Sequence, residues 1–298
     1  MVDTARLLYW PVALGVFLVP VLILQIPDAG ATSFLLLGVL GLLTPFVSRY
    51  RSFSEDEMRL FILVSVFFVV AVASYLLSEM NYLGFKKLGR YVRFLVVIPI
   101  GYVLVRARLT QGWLWYGITT GAIVAGVGAL TGAWNAFLQD QDHFRVDGIV
   151  GPILYGDLAL AMGCMALAGI GYFRQQGSWH VLIPVMAFAM GMVASFLSGT
   201  RGGWIAVPAL ALLFLWFYWK RLTRWQSYTL LCLLVVFPLA TWMIPATGVK
   251  MRIDEARIEV TAYLDGTNRD TSIGHRFELW QAAWQVFQEH PLLGAGVG

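Results

Sequence analysis

The long uncharged apolar runs of this chain constrain its fold more than any other feature. About 20 apolar residues in a helix cross the ~30 Å hydrocarbon core of a bilayer. Such runs recur along most of the 298 residues, which are 59% hydrophobic and only 13% charged, whereas soluble domains carry roughly 25% charged residues. This composition excludes an ordinary soluble enzyme, a disordered protein and a nucleic-acid binder. It predicts an all-α, polytopic transmembrane helical protein.

Nine apolar segments are long enough to be candidate spans. They comprise residues 7–26, 32–48, 60–78, 94–105, 113–132, 150–173, 181–198, 204–219 and 228–244. The sequence therefore predicts a transmembrane region of about nine helices over residues 1–246. Residues 247–298 are more polar, and we expect them to form a loop segment with an amphipathic helix.

The distribution of basic residues predicts the orientation. With a cytoplasmic N-terminus, the inner segments hold Arg6, Arg49, Arg51, Arg59, Arg106, Arg108, Arg174, Lys220, Arg221 and Arg224. The short outer loops hold Lys86, Lys87, Arg90, Arg93, Arg145 and Arg201. The larger inner set favours this orientation, because basic residues concentrate on the cytoplasmic side. The segment after the ninth span is then outside the cytoplasm.

The loop at residues 81–93 carries an unexpected cluster of basic residues on the outer side. It contains Lys86, Lys87, Arg90 and Arg93. One interpretation is a miscounted span, and a second is an interfacial helix whose long side chains snorkel to water. A third is a basic surface that faces an anionic lipid substrate, such as a phosphorylated glycolipid.

A short hairpin between the seventh and eighth predicted spans has the composition of an anion site. It reads SGTRGGW from Ser198 to Trp204. Glycines allow the close backbone geometry that exposes N–H groups to an anion, and Thr200 and Arg201 add a hydroxyl and a guanidinium. The simpler interpretation is a turn in which Arg201 reaches water and Trp204 lies in the aromatic belt.

The preceding outer loop, residues 133–149, contains Asp140, Asp142, His143 and Asp147. Their spacing matches no calcium or zinc pattern, and a solvated loop explains it better than a divalent cation site. Arg145 lies just before a Gly/Pro-rich entry to the sixth span and could face a cavity. Asp157 lies within that span, where a carboxylate is a functional candidate by default.

The final polar segment contains an amphipathic helix, predicted over residues 275–290. Its aromatic residues at helical spacing indicate a packing or membrane-surface face more often than a binding platform. Arg276 is at the start of this helix and precedes Trp280 by one turn.

These motifs together resemble the O-antigen ligase family (WaaL-type), within the larger group of O-antigen ligases and polymerases. The strongest similarity is the final segment GHRFELWQAAWQVFQEHPLLGAGVG, with Arg276 and Trp280, and the second is the SGTRGGW hairpin. The segment RVDGIVGP, from Arg145, is similar to a looser pattern of the same family.

The resemblance implies a multi-pass enzyme of the bacterial inner membrane with its active site facing the periplasm. Such enzymes move a glycan from an undecaprenyl-pyrophosphate carrier to a sugar of the lipid A core, with inversion and without a metal or cofactor. It implies that Arg201 and Arg276 hold the pyrophosphate as catalytic residues. We expect Arg145, Thr200 and Trp280 to contact substrate, and the basic residues of 81–93 to contact lipid A core phosphates.

The resemblance also implies a histidine that acts as the general base, after the Pro-Leu-Leu-Gly motif, and then further spans. None of His143, His180, His275 or His290 occupies that position, so we expect this base and about three more spans beyond Gly298. An O-antigen polymerase and a protein O-glycosylating ligase use the same donor chemistry and stay open. A membrane transporter that uses Asp157 with Arg145 and Arg201 is an alternative of a different class, although no internal repeat supports it.

Overall fold

All of the regular secondary structure that the computed structural model describes is helical. The described parts of the chain are residues 4–47, 53–77, 82–139, 145–200, 203, 207, 209, 212–213, 216 and 249–291. The helices are α1 Thr4–Leu22, α2 Ala29–Val47, α3 Glu55–Leu77, α4 Tyr82–Leu95, α5 Val97–Ala107, α6 Gly112–Leu138, α7 Pro152–Ala168, α8 Ile170–Gln176, α9 Leu182–Ser198, α10 Val249–Leu264 and α11 Ser272–Glu289. A short 3₁₀ turn, Ser178–Val181, precedes α9.

The described helices have the length and composition of membrane spans. Four qualify on both counts, namely Glu55–Leu77, Gly84–Ala107, Gly112–Leu138 and Ser178–Ser198. The pair α7 and α8, bent by 51°, makes a fifth, and Leu8–Leu22 and Ala29–Pro45 are shorter apolar helices. Exposed apolar side chains such as Leu63, which is 67% exposed on α3, are those expected to face lipid. These features confirm an all-α polytopic membrane protein.

Most of the predicted spans coincide with helices. The first seven predicted segments overlap α1 to α9, whereas segments 204–219 and 228–244 fall almost entirely outside the described residues. The count of nine spans therefore stays a prediction. One difference concerns residues 81–93, which were predicted to be a loop. They belong largely to α4, and the candidate span Gly84–Ala107 runs from α4 into α5, so the fourth span begins earlier than predicted and includes the four basic residues.

The chain divides into two compact units, of which the first comprises residues 1–61 and 96–213. In this unit α1 packs on α2, α5 and α6, and α9 packs on both α6 and α7. One apolar cluster joins α1, α2 and α5 through Val12, Leu37 and Val103. A second cluster joins α6, α7 and α9.

Small residues allow α6, α7 and α9 to approach closely. Buried Ala125, Ala159 and Ala187 come from the three helices in turn. At Gly163 an added Cβ would lie 3.1 Å from the α-carbon of Phe188. In a membrane, where lipid is as apolar as a leucine side chain, such close backbone packing is a main source of helix association. It holds α9 against α7.

The second unit comprises residues 62–95 and 214–298. In it, the Phe67 ring of α3 meets the rings of Tyr91 and Phe94 of α4, with centroids 5.7 and 5.1 Å apart. Its last two helices, α10 and α11, pack against each other as a helical hairpin. This hairpin contains the amphipathic helix that the sequence predicts, with α11 beginning three residues earlier than expected.

Candidate active site

Groups from outside the helical ladder satisfy the carbonyl end of α9. The last four carbonyls of a helix have no partner within it. At this end the Gly199 N–H donates to Phe196 O at 2.9 Å and the Val146 N–H donates to Leu197 O at 3.0 Å. The Ser198 hydroxyl donates to Ser195 O at 2.8 Å. The turn after α9 is therefore tied both to the helix and to the segment before α7.

Arg145 completes this arrangement with its guanidinium group. Its Nε donates to Ser198 O at 2.5 Å, and one Nη donates to Gly199 O at 3.5 Å. Gly199 has φ +67°, the left-handed conformation that commonly ends a helix at glycine. A cation at a helix C-terminus also interacts favourably with the helix dipole. Arg145 is thus a charged cap of α9, contributed from 53 residues away.

Two hydroxyl groups of the hairpin pack inward against α7. Thr200 is only 3% exposed, and its hydroxyl pairs with that of Ser198 in a short hydrogen bond. Both hydroxyls lie over Gly156, where an added Cβ would overlap them. The missing side chain of Gly156 is therefore what admits the hairpin to the surface of α7.

A carboxylate and a third hydroxyl lie beside the same hairpin without partners. Asp157 Oδ1 and Ser195 Oγ are buried, and neither has a hydrogen-bond partner among the described residues. A Cβ added at Gly203 would lie 2.9 Å from Asp157 Oδ1 and 3.6 Å from Ser195 Oγ. Gly203 is helical, so this carboxylate lies next to a helical residue near the end of the hairpin sequence.

A further polar contact joins the middle of α6 to the first turn of α7. The buried Tyr155 hydroxyl donates to Ala125 O at 2.7 Å. Gln25, just after α1, is nearby, since a Cβ at Gly128 would lie 3.3 Å from both Gln25 Oε1 and the Tyr155 hydroxyl. Polar groups of the first unit thus collect near the ends of α1 and α9, the first turn of α7 and the middle of α6.

In the second unit, Arg276 and Trp280 lie one turn apart on α11. Residues four apart share a helix face. Arg276 is exposed, and Trp280 is 65% exposed with its ring centroid 5.7 Å from that of Phe277. An exposed guanidinium beside an exposed indole presents both a cation and a flat apolar surface.

The turn between α10 and α11 is held by local polar contacts. Thr271 caps α11 by accepting a hydrogen bond from the Gly274 N–H at 3.0 Å. Glu259 of α10 accepts a hydrogen bond from the Ile273 N–H at 3.0 Å, and His275 is 2.9 Å from Asp270. These contacts fix where α11 begins and therefore fix the backbone that presents Arg276.

The basic residues of α4 form an exposed group in the second unit. Three of them are spaced to share one helix face, and the fourth is adjacent to it. All four side chains are exposed, namely Lys86, Lys87, Arg90 and Arg93. They form what we call the α4 basic face.

The structure brings together some of the residues that the sequence singled out. Arg145 and Thr200 both lie at the end of α9, and Arg276 and Trp280 lie one turn apart on α11. Arg201 lies outside the described residues, as do Asp140, Asp142, His143 and residues 292–298 of the final motif. Gly156 and Ser195 were missed. The Ser195-x-x-Ser198 spacing, which places two hydroxyls on one helix face, is the signal that points to Ser195.

The C-terminal part of the chain is similar in sequence to a known protein family. Residues 185–298 match the family model described as O-antigen ligase. A similar protein is an uncharacterized protein of Haemophilus influenzae, 25% identical over 278 residues that span 92% of this chain and 67% of the relative. The matched part includes the hairpin after α9 and the whole of α11. The family match confirms the resemblance to the O-antigen ligase superfamily over residues 185–298. For this multi-pass membrane protein, the match supports an activity of the O-antigen ligase or polymerase type.

Proposed function

We propose that this protein is a membrane glycosyltransferase that ligates a glycan from undecaprenyl pyrophosphate to a sugar of the lipid A core. The reaction takes place at the periplasmic face of the bacterial inner membrane. The observation that carries the proposal is the match of residues 185–298 to the O-antigen ligase family, because this stretch contains both arginines of the proposed site. The multi-pass helical architecture suits a lipid-linked donor.

In the proposed reaction a hydroxyl oxygen of the acceptor sugar attacks the anomeric carbon of the donor glycan. The bond between that carbon and the diphosphate oxygen breaks on the opposite face, so the configuration inverts. The hydroxyl proton passes to a general base, for which the family resemblance implies a histidine. Undecaprenyl pyrophosphate leaves with the bonding electron pair.

Arg201 and Arg276 are proposed to hold the diphosphate. Negative charge on its oxygens grows as the bond breaks, and guanidinium groups fixed beside it stabilise the transition state more than the ground state. An Arg–phosphate contact is frequently bidentate, which also orients the leaving group. No metal or cofactor is assigned a role in this scheme.

The other predicted residues have supporting roles in the proposal. Trp280, one turn from Arg276 and exposed, offers its ring to a sugar or to the lipid carrier. Thr200 is assigned to the hairpin next to Arg201, where its buried hydroxyl limits it to indirect contact with substrate. The α4 basic face is proposed to contact the phosphates of the lipid A core.

A reconstituted transfer assay tests the proposal. Purified protein in lipid receives the undecaprenyl-pyrophosphate-linked glycan together with lipid A core, and mass spectrometry identifies the acceptor that gains mass. We expect lipid A core to gain the glycan. Elongation of the lipid-linked glycan would make the protein a polymerase, and a gain on protein would make it a protein O-glycosylating ligase.

Substitution of the two arginines tests the mechanism. Arg201→Ala and Arg276→Ala are each expected to lower transfer by about 10²-fold or more, with the protein still folded in the membrane. Arg257→Ala is the matched control, because Arg257 is an exposed arginine of the adjoining helix α10. Normal turnover in either test variant removes that residue from the proposed site.

A further inference from the structure

We infer that Arg145 is a positioning residue, which fixes the hairpin after α9, and that it does not itself hold the substrate. This inference deepens the proposed function, since the hairpin so fixed leads directly into Arg201. It revises the substrate-binding role that the sequence suggested for Arg145.

The contacts of the guanidinium carry the inference. A guanidinium has five N–H donors in a rigid fork. One edge of that fork points at two main-chain carbonyls, with Nε 2.5 Å from Ser198 O and one Nη 3.5 Å from Gly199 O. An arginine that grips a phosphate would direct the same Nε edge to the ligand. Here that edge already has an acceptor, and the acceptor belongs to the protein.

The backbone around Arg145 supports the same role. The next residue, Val146, donates its N–H to Leu197 O at 3.0 Å, so the two consecutive residues bind two consecutive carbonyls of α9. Val146 is itself buried in the apolar cluster of α6, α7 and α9. The segment before α7 is therefore anchored at Val146, directly after the arginine, which restricts how far Arg145 can move toward a ligand.

Gly199 is matched to the guanidinium. Its φ of +67° is a conformation that favours glycine, and an added Cβ would lie 3.2 Å from Arg145 Nε. A side chain at this position would therefore strain the turn and crowd the guanidinium group of Arg145. The conformation of the turn at Gly199 and Thr200 therefore depends on both Gly199 and the Arg145 guanidinium.

Hydrogen exchange of the substrate-free protein tests the inference directly. In Arg145→Ala and in Arg145→Lys, the amides of Val146 and Gly199 are expected to exchange about 10-fold faster or more, because a charge-assisted hydrogen bond to the end of α9 is lost. The lysine variant keeps the positive charge but lacks the fork. If the alanine variant fails to fold, the lysine variant alone still tests the inference. Arg257→Ala is the control and should leave these two amides unchanged.

Substitution of two glycines, Gly199 and Gly151, provides an independent experiment. Gly199→Ala is expected to speed exchange at the same amides. Gly151→Ala is its matched control, because Gly151 also has a positive φ, +85°, but an added Cβ there meets nothing within 4 Å. Gly151→Ala therefore introduces backbone strain alone, whereas Gly199→Ala introduces backbone strain together with a contact to Arg145.

Kinetics separate positioning from substrate binding. For a positioning residue, kcat falls in Arg145→Lys while the KM for the donor stays near its normal value, and added methylguanidinium partly restores kcat in Arg145→Ala. Normal exchange at Val146 and Gly199 together with a raised donor KM overturns the inference and makes Arg145 a substrate-binding group. If the unmodified protein transfers no glycan, the proposed function fails, and the exchange experiment still decides the role of Arg145.

Discussion

Gly156 of α7 lies directly against the Thr200 hydroxyl, so that a Cβ at position 156 would overlap both Thr200 Oγ1 and Ser198 Oγ. The hairpin after α9 therefore depends on a glycine of a different helix. Gly156→Ala is expected to destabilise the protein by about 1–3 kcal/mol, the usual range for overpacking a tight interior. Thermal unfolding in detergent measures this change.

A glycine elsewhere in the first unit tests whether the effect is local. Gly171→Ala, on α8, adds the same methyl group where nothing lies within 4 Å, and it should leave the stability within about 0.5 kcal/mol. Equal unfolding temperatures for the two variants would contradict the close packing of Gly156 and Thr200.

The hydroxyl of Tyr155 contributes a second link between helices. Tyr155→Phe removes the buried hydrogen bond to Ala125 O and leaves the ring in place. Because an interhelical hydrogen bond in a membrane protein contributes only about 0.6 kcal/mol on average, we expect a loss of that order. Tyr82→Phe, at an exposed position of α4, is the control for the same chemical change. A stability loss shared by both variants would argue against a specific role for the Tyr155 hydroxyl.

The α4 basic face is expected to bind anionic phosphate groups. Successive replacement of its four residues by Glu should weaken binding of lipid A core stepwise, by about 1 kcal/mol for each charge near the lipid surface. Added salt should weaken binding by the unmodified protein in the same direction, because salt screens exposed charges. Equilibrium binding to nanodiscs with and without lipid A core measures both effects.

The control for charge alone is Arg174→Glu. Arg174 is exposed in the last turn of α8, which the charge distribution predicts to lie at the cytoplasmic surface. Its reversal should leave binding of lipid A core unchanged. Unchanged affinity after reversal of all four residues of the α4 basic face would end the assignment of this surface to the acceptor.

Thr271 determines where α11 begins and hence where Arg276 is presented. Thr271→Ala removes the cap hydrogen bond from the Gly274 N–H and is expected to destabilise the start of α11 by about 1 kcal/mol. Faster hydrogen exchange at residues 272–275 would report this loss. Thr261→Ala is the control, because the Thr261 hydroxyl only bonds back to Arg257 O within α10. Unchanged exchange in Thr271→Ala would show that the cap is dispensable.

Local patterns predicted the helices of this protein and the residue types of its candidate site. The apolar runs indicated the spans, and the spacing of aromatic residues indicated α11, which extends over Ser272–Glu289. Residues 81–93 were predicted to be a loop because they lie between two apolar segments, 60–78 and 94–105. The helix α4 tolerates the high charge density of these residues because its charged side chains are exposed along one side.

Interactions between distant segments could not be predicted in the same way. Arg145 and Ser198 are separated by 53 residues, and the choice of a carbonyl as the partner of Arg145 depends on how α7 and α9 pack. The sequence showed an arginine before a membrane entry and suggested a substrate contact. Only the geometry of the carbonyl end of α9 indicates that a structural acceptor is already in reach.

Substitution of Asp157 tests whether glycan transfer requires a carboxylate that destabilises its membrane helix. Its Oδ1 is buried without a hydrogen-bond partner among the described residues, and a charge in this setting is costly. Asp157→Asn keeps the shape and removes the charge, so we expect a higher unfolding temperature together with slower glycan transfer. Asp265→Asn makes the same change in the exposed turn after α10 and should alter neither quantity. A lower unfolding temperature for Asp157→Asn would mean that the carboxylate stabilises the folded protein, and unchanged transfer would remove Asp157 from the functional residues.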